Sequence, residues 1–134
     1  MRRILVVEDN RSDVFLIRES IDAAQVDASI EVAQDGEKAI AVVDQIDADE
    51  SIPPDLVILD INLPKREGRD VLSHMRRSRR CRGLIVLVVT SSNSDRDRDE
   101  MERLGVSGYF RKPSDYASFM KLGGLVKELL NLST

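Results

Sequence analysis

Two apolar runs decide what this chain can fold into. Leu56-Val57-Ile58-Leu59 and Leu84-Ile85-Val86-Leu87-Val88-Val89 are short, rich in β-branched residues and show no polar alternation. Runs of this kind are strands buried on both faces, as in the middle of a parallel sheet covered by helices on either side. Each is followed at once by a polar residue, Asp60 after the first and Thr90 after the second. In open α/β sheets the carboxyl ends of the strands form the edge where ligands bind.

The rest of the chain alternates strand and helix. Residues 3 to 8 form a short strand ending in Glu8 and Asp9, and Asn10 is suited to cap a helix on which Asp13 adds first-turn charge and Val14, Ile17 and Ile21 face the core. Residues 29 to 33 alternate as a strand nearer the sheet edge would. Asp35-Gly36 then turns into a helix bearing Ala39, Ile40, Val43 and Ile46. The loop from Ile61 to Gly68 leads into a helix with Val71, Leu72 and Met75, whose end carries Arg76, Arg77, Arg79, Arg80 and Arg82 and reads as a solvated, dipole-matched terminus. Ser94 to Leu104 is almost all charge, with only Met101 and Leu104 apolar, and Gly105 fits its C-terminal cap. Val106 to Arg111 make the last strand, ahead of Lys112-Pro113. A final helix from Ser114-Asp115 presents Phe119, Leu122, Val126 and Leu129, with Gly123-Gly124 inside it at a cost of ~1 kcal/mol per glycine relative to alanine. Five strands alternating with five helices predict a doubly wound α/β fold with a parallel sheet and right-handed crossovers, one domain over residues 1–134.

Composition narrows the function. A net charge of −4 argues against a nucleic-acid partner, and no apolar stretch approaches the ~18 residues of a membrane span. Met1-Arg2-Arg3 runs straight into a strand without signal-peptide architecture, and Cys81 is the one cysteine, so a reducing cytoplasm is the expected setting. His74, the single histidine, has no second metal ligand nearby in sequence and reads as a solvated bystander.

The chemistry gathers at one edge. Side-by-side strands bring Glu8, Asp9, Asp60, Thr90 and Lys112 together. Crowded carboxylates repel one another unless a cation sits among them, and an oxygen-only set with open positions suits Mg²⁺. A metal, a lysine and a hydroxyl can each hold one oxygen of a phosphoryl group, and a carboxylate can be its nucleophile.

In this ordered set the chain resembles the receiver domains of two-component response regulators, the CheY-like proteins. The matching pieces are Glu8-Asp9, Asp60 with Leu63-Pro64 and Gly68, Thr90-Ser91, and Tyr109 three residues before Lys112-Pro113. The loop through Leu63-Pro64-Lys65 and the long connection before the central strand are similar to small stand-alone regulators paired with phytochromes. The resemblance implies a flavodoxin-like sheet of order 2-1-3-4-5 and a single receiver domain without an output domain. It implies that Asp60 accepts a phosphoryl group from a sensor histidine kinase, a phytochrome among the candidates, or from a phosphotransfer protein. Mg²⁺ would be held by Asp9, Asp60 and the Asn62 backbone carbonyl, with Glu8 acting through water. Lys112 and Thr90 would hold the phosphoryl oxygens, and Tyr109 would turn inward as Thr90 moves. Such a protein is a signalling element that catalyses only its own phosphorylation and dephosphorylation, and passes its signal to a downstream protein through the face formed by residues 94 to 122. The family usually has a cis bond at the position of Lys112-Pro113. This chain departs in having Glu8 for the commoner Asp. It also has Gly123-Gly124 and Asn131 to Thr134 where the phytochrome-associated subgroup tends to carry an aromatic tail, so a homodimer stays open.

Three rivals weigh less. Aspartyl-phosphate phosphatases generally need a second Asp two residues after the nucleophile, where this chain has Asn62. A flavodoxin-like cofactor binder would carry a phosphate loop after the first strand. A non-phosphorylated pseudo-receiver, serving only as an interaction module, would not need Asp9, Asp60, Thr90 and Lys112 together.

Overall fold

The computed structural model describes residues 1–132. Ser133 and Thr134, part of the tail singled out above, lie outside the described residues. Strands β1 (Arg2–Val7), β2 (Ala28–Ala33), β3 (Leu56–Leu59), β4 (Val86–Thr90) and β5 (Gly108–Arg111) pair in parallel in the order β2-β1-β3-β4-β5. Between them run α1 (Arg11–Ala23), α2 (Gly36–Asp47), α3 (Gly68–Arg77) and α4 (Asp95–Arg103). The fifth helix is divided at Met120-Lys121 into α5 (Tyr116–Phe119) and α6 (Leu122–Leu132).

Side-chain alternation along the strands splits the core in two. Leu5, Val7, Val57, Leu59, Val86 and Val88 face α2, α3 and α4. Ile4, Val6, Leu56, Ile58, Leu87 and Val89 face α1, α5 and α6. All of β3 and β4 is buried, as uninterrupted apolar runs require, whereas β5 is only half-buried at the sheet edge. The expected strand from Leu84 shortens to Val86: the Leu84 N–H turns back to Cys81 O, and Ile85 meets β3 through its carbonyl, which accepts the Val57 N–H at 2.9 Å. Asn10 caps α1 as expected, its Oδ1 accepting the Asp13 N–H at 3.0 Å. Asp35 does the same for α2, and Gly105 closes α4 at φ +79°. Only Met101 of α4 is fully buried.

The arginine-rich end of α3 is not simply solvated. Arg76 donates to the carbonyls of Leu104 and Gly105 at 2.7 and 2.9 Å, at the C-terminus of α4, and to those of Arg82 and Leu84. Arg80 donates to Ile46 O and Asp49 at 2.8 Å, and Arg79 to Asp47 O at 2.9 Å, at the C-terminus of α2. These cations answer the orphan carbonyls of two neighbouring helices. His74 is likewise partnered, its Nε2 lying 2.8 Å from Asp44 Oδ1. The Lys112-Pro113 bond is trans, against the family expectation, since no cis peptide occurs among the described residues. Trans is the lower isomer of an X-Pro bond by about 0.5–1 kcal/mol, and Lys112 reaches its partners with it.

Two predictions follow from the packing. A Cβ on Gly123 would stand 1.9 Å from Ser20 O of α1, while one on Gly124 would meet nothing within 4 Å. Gly123→Ala should therefore destabilise by roughly 1–3 kcal/mol through overpacking, and Gly124→Ala should stabilise by roughly 0.5–1 kcal/mol. Urea unfolding of both variants checks the opposite signs. Asp47 accepts the Ser78 hydroxyl at 2.7 and 2.8 Å and the Arg80 N–H at 3.0 Å, and these bonds, Ser78 first, lower its pKa below the usual 3.8. A depressed carboxylate adds stability above its unfolded pKa and loses it as pH falls through the folded one. Asp47→Asn should be less stable than the parent at pH 7, with the gap narrowing below pH 3.8; an unchanged gap in unfolding midpoints would contradict this.

Candidate functional site

The ladder places the site. The Asp60 N–H is donated to Val7 O at 3.1 Å and the Lys112 N–H to Thr90 O at 2.8 Å, so both residues continue the sheet one step past their strands. Behind Asp60, α3 begins in near contact with the backbone: a Cβ on Gly68 would stand 2.3 Å from Asp60 O, and the Gly68 N–H is donated to Ile61 O at 2.8 Å. Only glycine lets α3 start there.

Lys112 Nζ lies 2.7 Å from Glu8 Oε1, 2.8 Å from Asp13 Oδ2 and 3.2 Å from Asp60 Oδ2. Glu8 and Asp60 are buried, at 2% and 6% exposure, while Asp9 is exposed. Glu8 Oε2 also accepts the Asn10 N–H at 3.2 Å, and Asp60 Oδ1 the Asn62 N–H at 3.4 Å. Burial raises the Glu8 pKa to about 7; the charge of Asp60 adds to this, and Lys112 opposes both. Lys112 is pushed above its ordinary value: burial works against the ammonium, but its bonds to Asp13 and Glu8 and the charge of Asp60 outweigh it. Glu8, Asp9 and Asp60 each offer a carboxylate oxygen, and these atoms all lie within 4.8 Å of one another. Three clustered carboxylates with one open to solvent fit a hard divalent cation that keeps some of its waters.

Residues 4–122 match the family of the response regulator receiver domain. The chain belongs to that family. Response regulator Rcp1 of Synechocystis sp. is 32% identical over 120 residues, covering 89% of this chain and 82% of that protein. A structure of the Mn²⁺-bound form of Rcp1 superposes with a TM-score of 0.89 at 29% identity, covering 100% of this chain and 98% of that one. A structure of the phosphorylated cyanobacterial phytochrome response regulator RcpA also gives 0.89 at 29% identity, over 99% and 96% of the two chains. The receiver domain is thus a phospho-accepting signalling protein of the two-component type, with an acidic cluster fit for a divalent cation. The pseudo-receiver reading lacks support. No helix among the described residues is long and apolar enough to cross a membrane.

The remaining expected residues lie on β4 and β5. Thr90 is fully buried at the end of β4, its Oγ1 accepting the Ser92 N–H at 3.3 Å. Tyr109 packs beside the α2–α4 core with its hydroxyl buried and unpartnered, and the Arg98 guanidinium sits 5.0 Å from its ring centroid. Burial raises its pKa, opposed by the nearby Ser92 hydroxyl. Asp13 is the participant that sequence reasoning missed. Its only signal was position, four residues past Asp9 in the first turn of a helix that starts at the site. A buried hydroxyl without a partner costs about 1–3 kcal/mol. Tyr109→Phe should accordingly raise the free energy of unfolding by about 1 kcal/mol; a clear loss in urea titration would show that the hydroxyl is satisfied.

Proposed function

We propose that Asp60 is the residue that accepts the phosphoryl group, with Mg²⁺ as the cation. The observation that carries this is the pairing of Asp60 with both the acidic cluster and Lys112. Glu8 shares those neighbours, but its shorter bond to Lys112, at 2.7 Å, and the Asn10 N–H on its other oxygen hold it more tightly. Asp60, held at 3.2 and 3.4 Å, is the more loosely engaged carboxylate.

In the reaction an Asp60 oxygen attacks phosphorus of a phosphohistidine. The P–N bond breaks, and its electron pair stays on the imidazole of the donor. Lys112 and Thr90 bind oxygens of the transferred group. Asp9, Asp60 and the Asn62 carbonyl, with Glu8 acting through water, would hold Mg²⁺, which would supply positive charge against the phosphoryl oxygens. Water later cleaves the acyl phosphate, so the chain catalyses only its own phosphorylation and dephosphorylation. The donor is a sensor histidine kinase, of the phytochrome class by likeness to the phytochrome response regulator RcpA, or a phosphotransfer protein. Drawing Thr90 toward the phosphoryl group frees space beside Tyr109, and the altered face of residues 94 to 122 meets a downstream protein or a second copy. Residues 1–134 act as one receiver domain in the cytoplasm.

Incubation with acetyl phosphate and Mg²⁺ should add one phosphoryl group by intact mass. Asp60→Asn should gain none, and Asp9→Ala should lose most of the Mg²⁺ binding seen by calorimetry. Uptake by Asp60→Asn at the parental rate would refute the assignment.

A further inference from the structure

We propose that Asp13 is a positioning residue for phosphoryl transfer, anchoring the Lys112 ammonium from the α1 side so that only the donor aimed at Asp60 changes partner. This rests on Asp60 being the acceptor.

An ammonium has three N–H donors and no acceptor. In this structure three carboxylate oxygens, of Glu8, Asp13 and Asp60, stand within bonding distance of Lys112 Nζ, at 2.7, 2.8 and 3.2 Å. The two short bonds go to Glu8 and Asp13, and the long one goes to the proposed acceptor. A lysine head on its four-carbon stem is a freely rotating point charge unless its partners fix it. Glu8 alone would leave it a cone of orientations; a second carboxylate from a different element closes that freedom.

Asp13 is well built for this. It lies in the first turn of α1, a helix anchored in the core by Ile17 and Ile21. Its own N–H is fixed by the Asn10 cap at 3.0 Å. Its side chain is 22% exposed and that of Lys112 only 9%, so the pair is partly shielded from water. The bond ties α1 to the segment after β5, beside the proposed acceptor. When Asp60 becomes an acyl phosphate, the third donor passes from a carboxylate oxygen to a phosphoryl oxygen nearby. The other two need not move, so little reorganisation is required at the moment of transfer.

Asp13 could instead act only by adding negative charge that attracts the cation. That alternative is separable, because a pure charge effect vanishes at saturating Mg²⁺. The test measures acetyl phosphate uptake by the parent, Asp13→Asn and Asp13→Ala across Mg²⁺ concentrations, with thermal unfolding confirming that each is folded. It also records the NMR signal of the Lys112 side-chain ammonium, which a structural role of Asp13 in the helix turn would not move. The expected result is uptake slowed on the order of tenfold at saturating Mg²⁺ in Asp13→Ala, less in Asp13→Asn. The ammonium signal should be sharp in the parent and broadened by solvent exchange in the variants. Parental rates at saturating Mg²⁺, or an unchanged ammonium signal, would overturn the proposal while leaving Asp60 as acceptor. Failure of the parent itself to take up phosphate, or uptake by Asp60→Asn, would overturn the underlying reading instead.

Discussion

A single ammonium holds the functional edge of this molecule together. Glu8, Asp13 and Asp60 arrive from β1, α1 and β3, and each lies within 3.2 Å of Lys112 Nζ. Like charges about 4 Å apart repel by roughly 4 kcal/mol at the effective dielectric of a protein surface, so carboxylates this close, two of them buried, are tolerable only with the cation among them. Lys112 comes from beyond β5, the half-buried edge strand, attached to the site through its N–H bond to Thr90 O at 2.8 Å. A fully buried strand thus supplies Asp60, the proposed acceptor, and a half-buried edge strand supplies the charge that makes its surroundings possible. A site assembled this way is rigid where chemistry needs a fixed carboxylate and yielding where a signal has to leave.

The sequence announces strand ends better than it announces what crosses between elements. Asp60, Thr90 and Lys112 were legible because apolar runs mark where buried strands stop, and a polar residue there has one edge to occupy. Glu8 and Asp9 were legible for the same reason. Asp13 was not, because a carboxylate in a first helical turn is fully accounted for by the helix dipole, and nothing local reveals a bond spanning 99 positions of sequence. The arginines at and just after the end of α3 hid in the same way. Basic residues at a helix end suit that helix, yet Arg76 and Arg80 serve the ends of α4 and α2 instead. Gly123 and Gly124 looked equivalent in sequence, and only the approach of Ser20 separates them. The break at Met120-Lys121 escaped the periodicity, since Phe119 and Leu122 keep helical spacing across it.

The proposed route from site to surface passes α4, whose two ends are held differently. At the N-terminal end, Thr90 Oγ1 accepts the Ser92 N–H, the Ser92 hydroxyl donates to Asp97 Oδ2 at 2.7 Å, and Arg98 lies over Tyr109. At the C-terminal end, Arg76 donates to both Leu104 O and Gly105 O from the well-packed α3. Between these lies one fully buried side chain, Met101. A displacement of Thr90, as the proposed switch requires, therefore pulls on the end that is joined to the site by polar contacts alone, while the far end stays pinned by a bidentate guanidinium. The motion this favours is a pivot of α4 about its C-terminus rather than a sliding of the whole helix. It would shift Arg98 relative to Tyr109 and change the exposed face of α4 most near residues 94 to 98, the end joined to Thr90 through Ser92 and Asp97. A few weak contacts suffice for that coupling, because the ligand has only to bias an element that packing never held firmly.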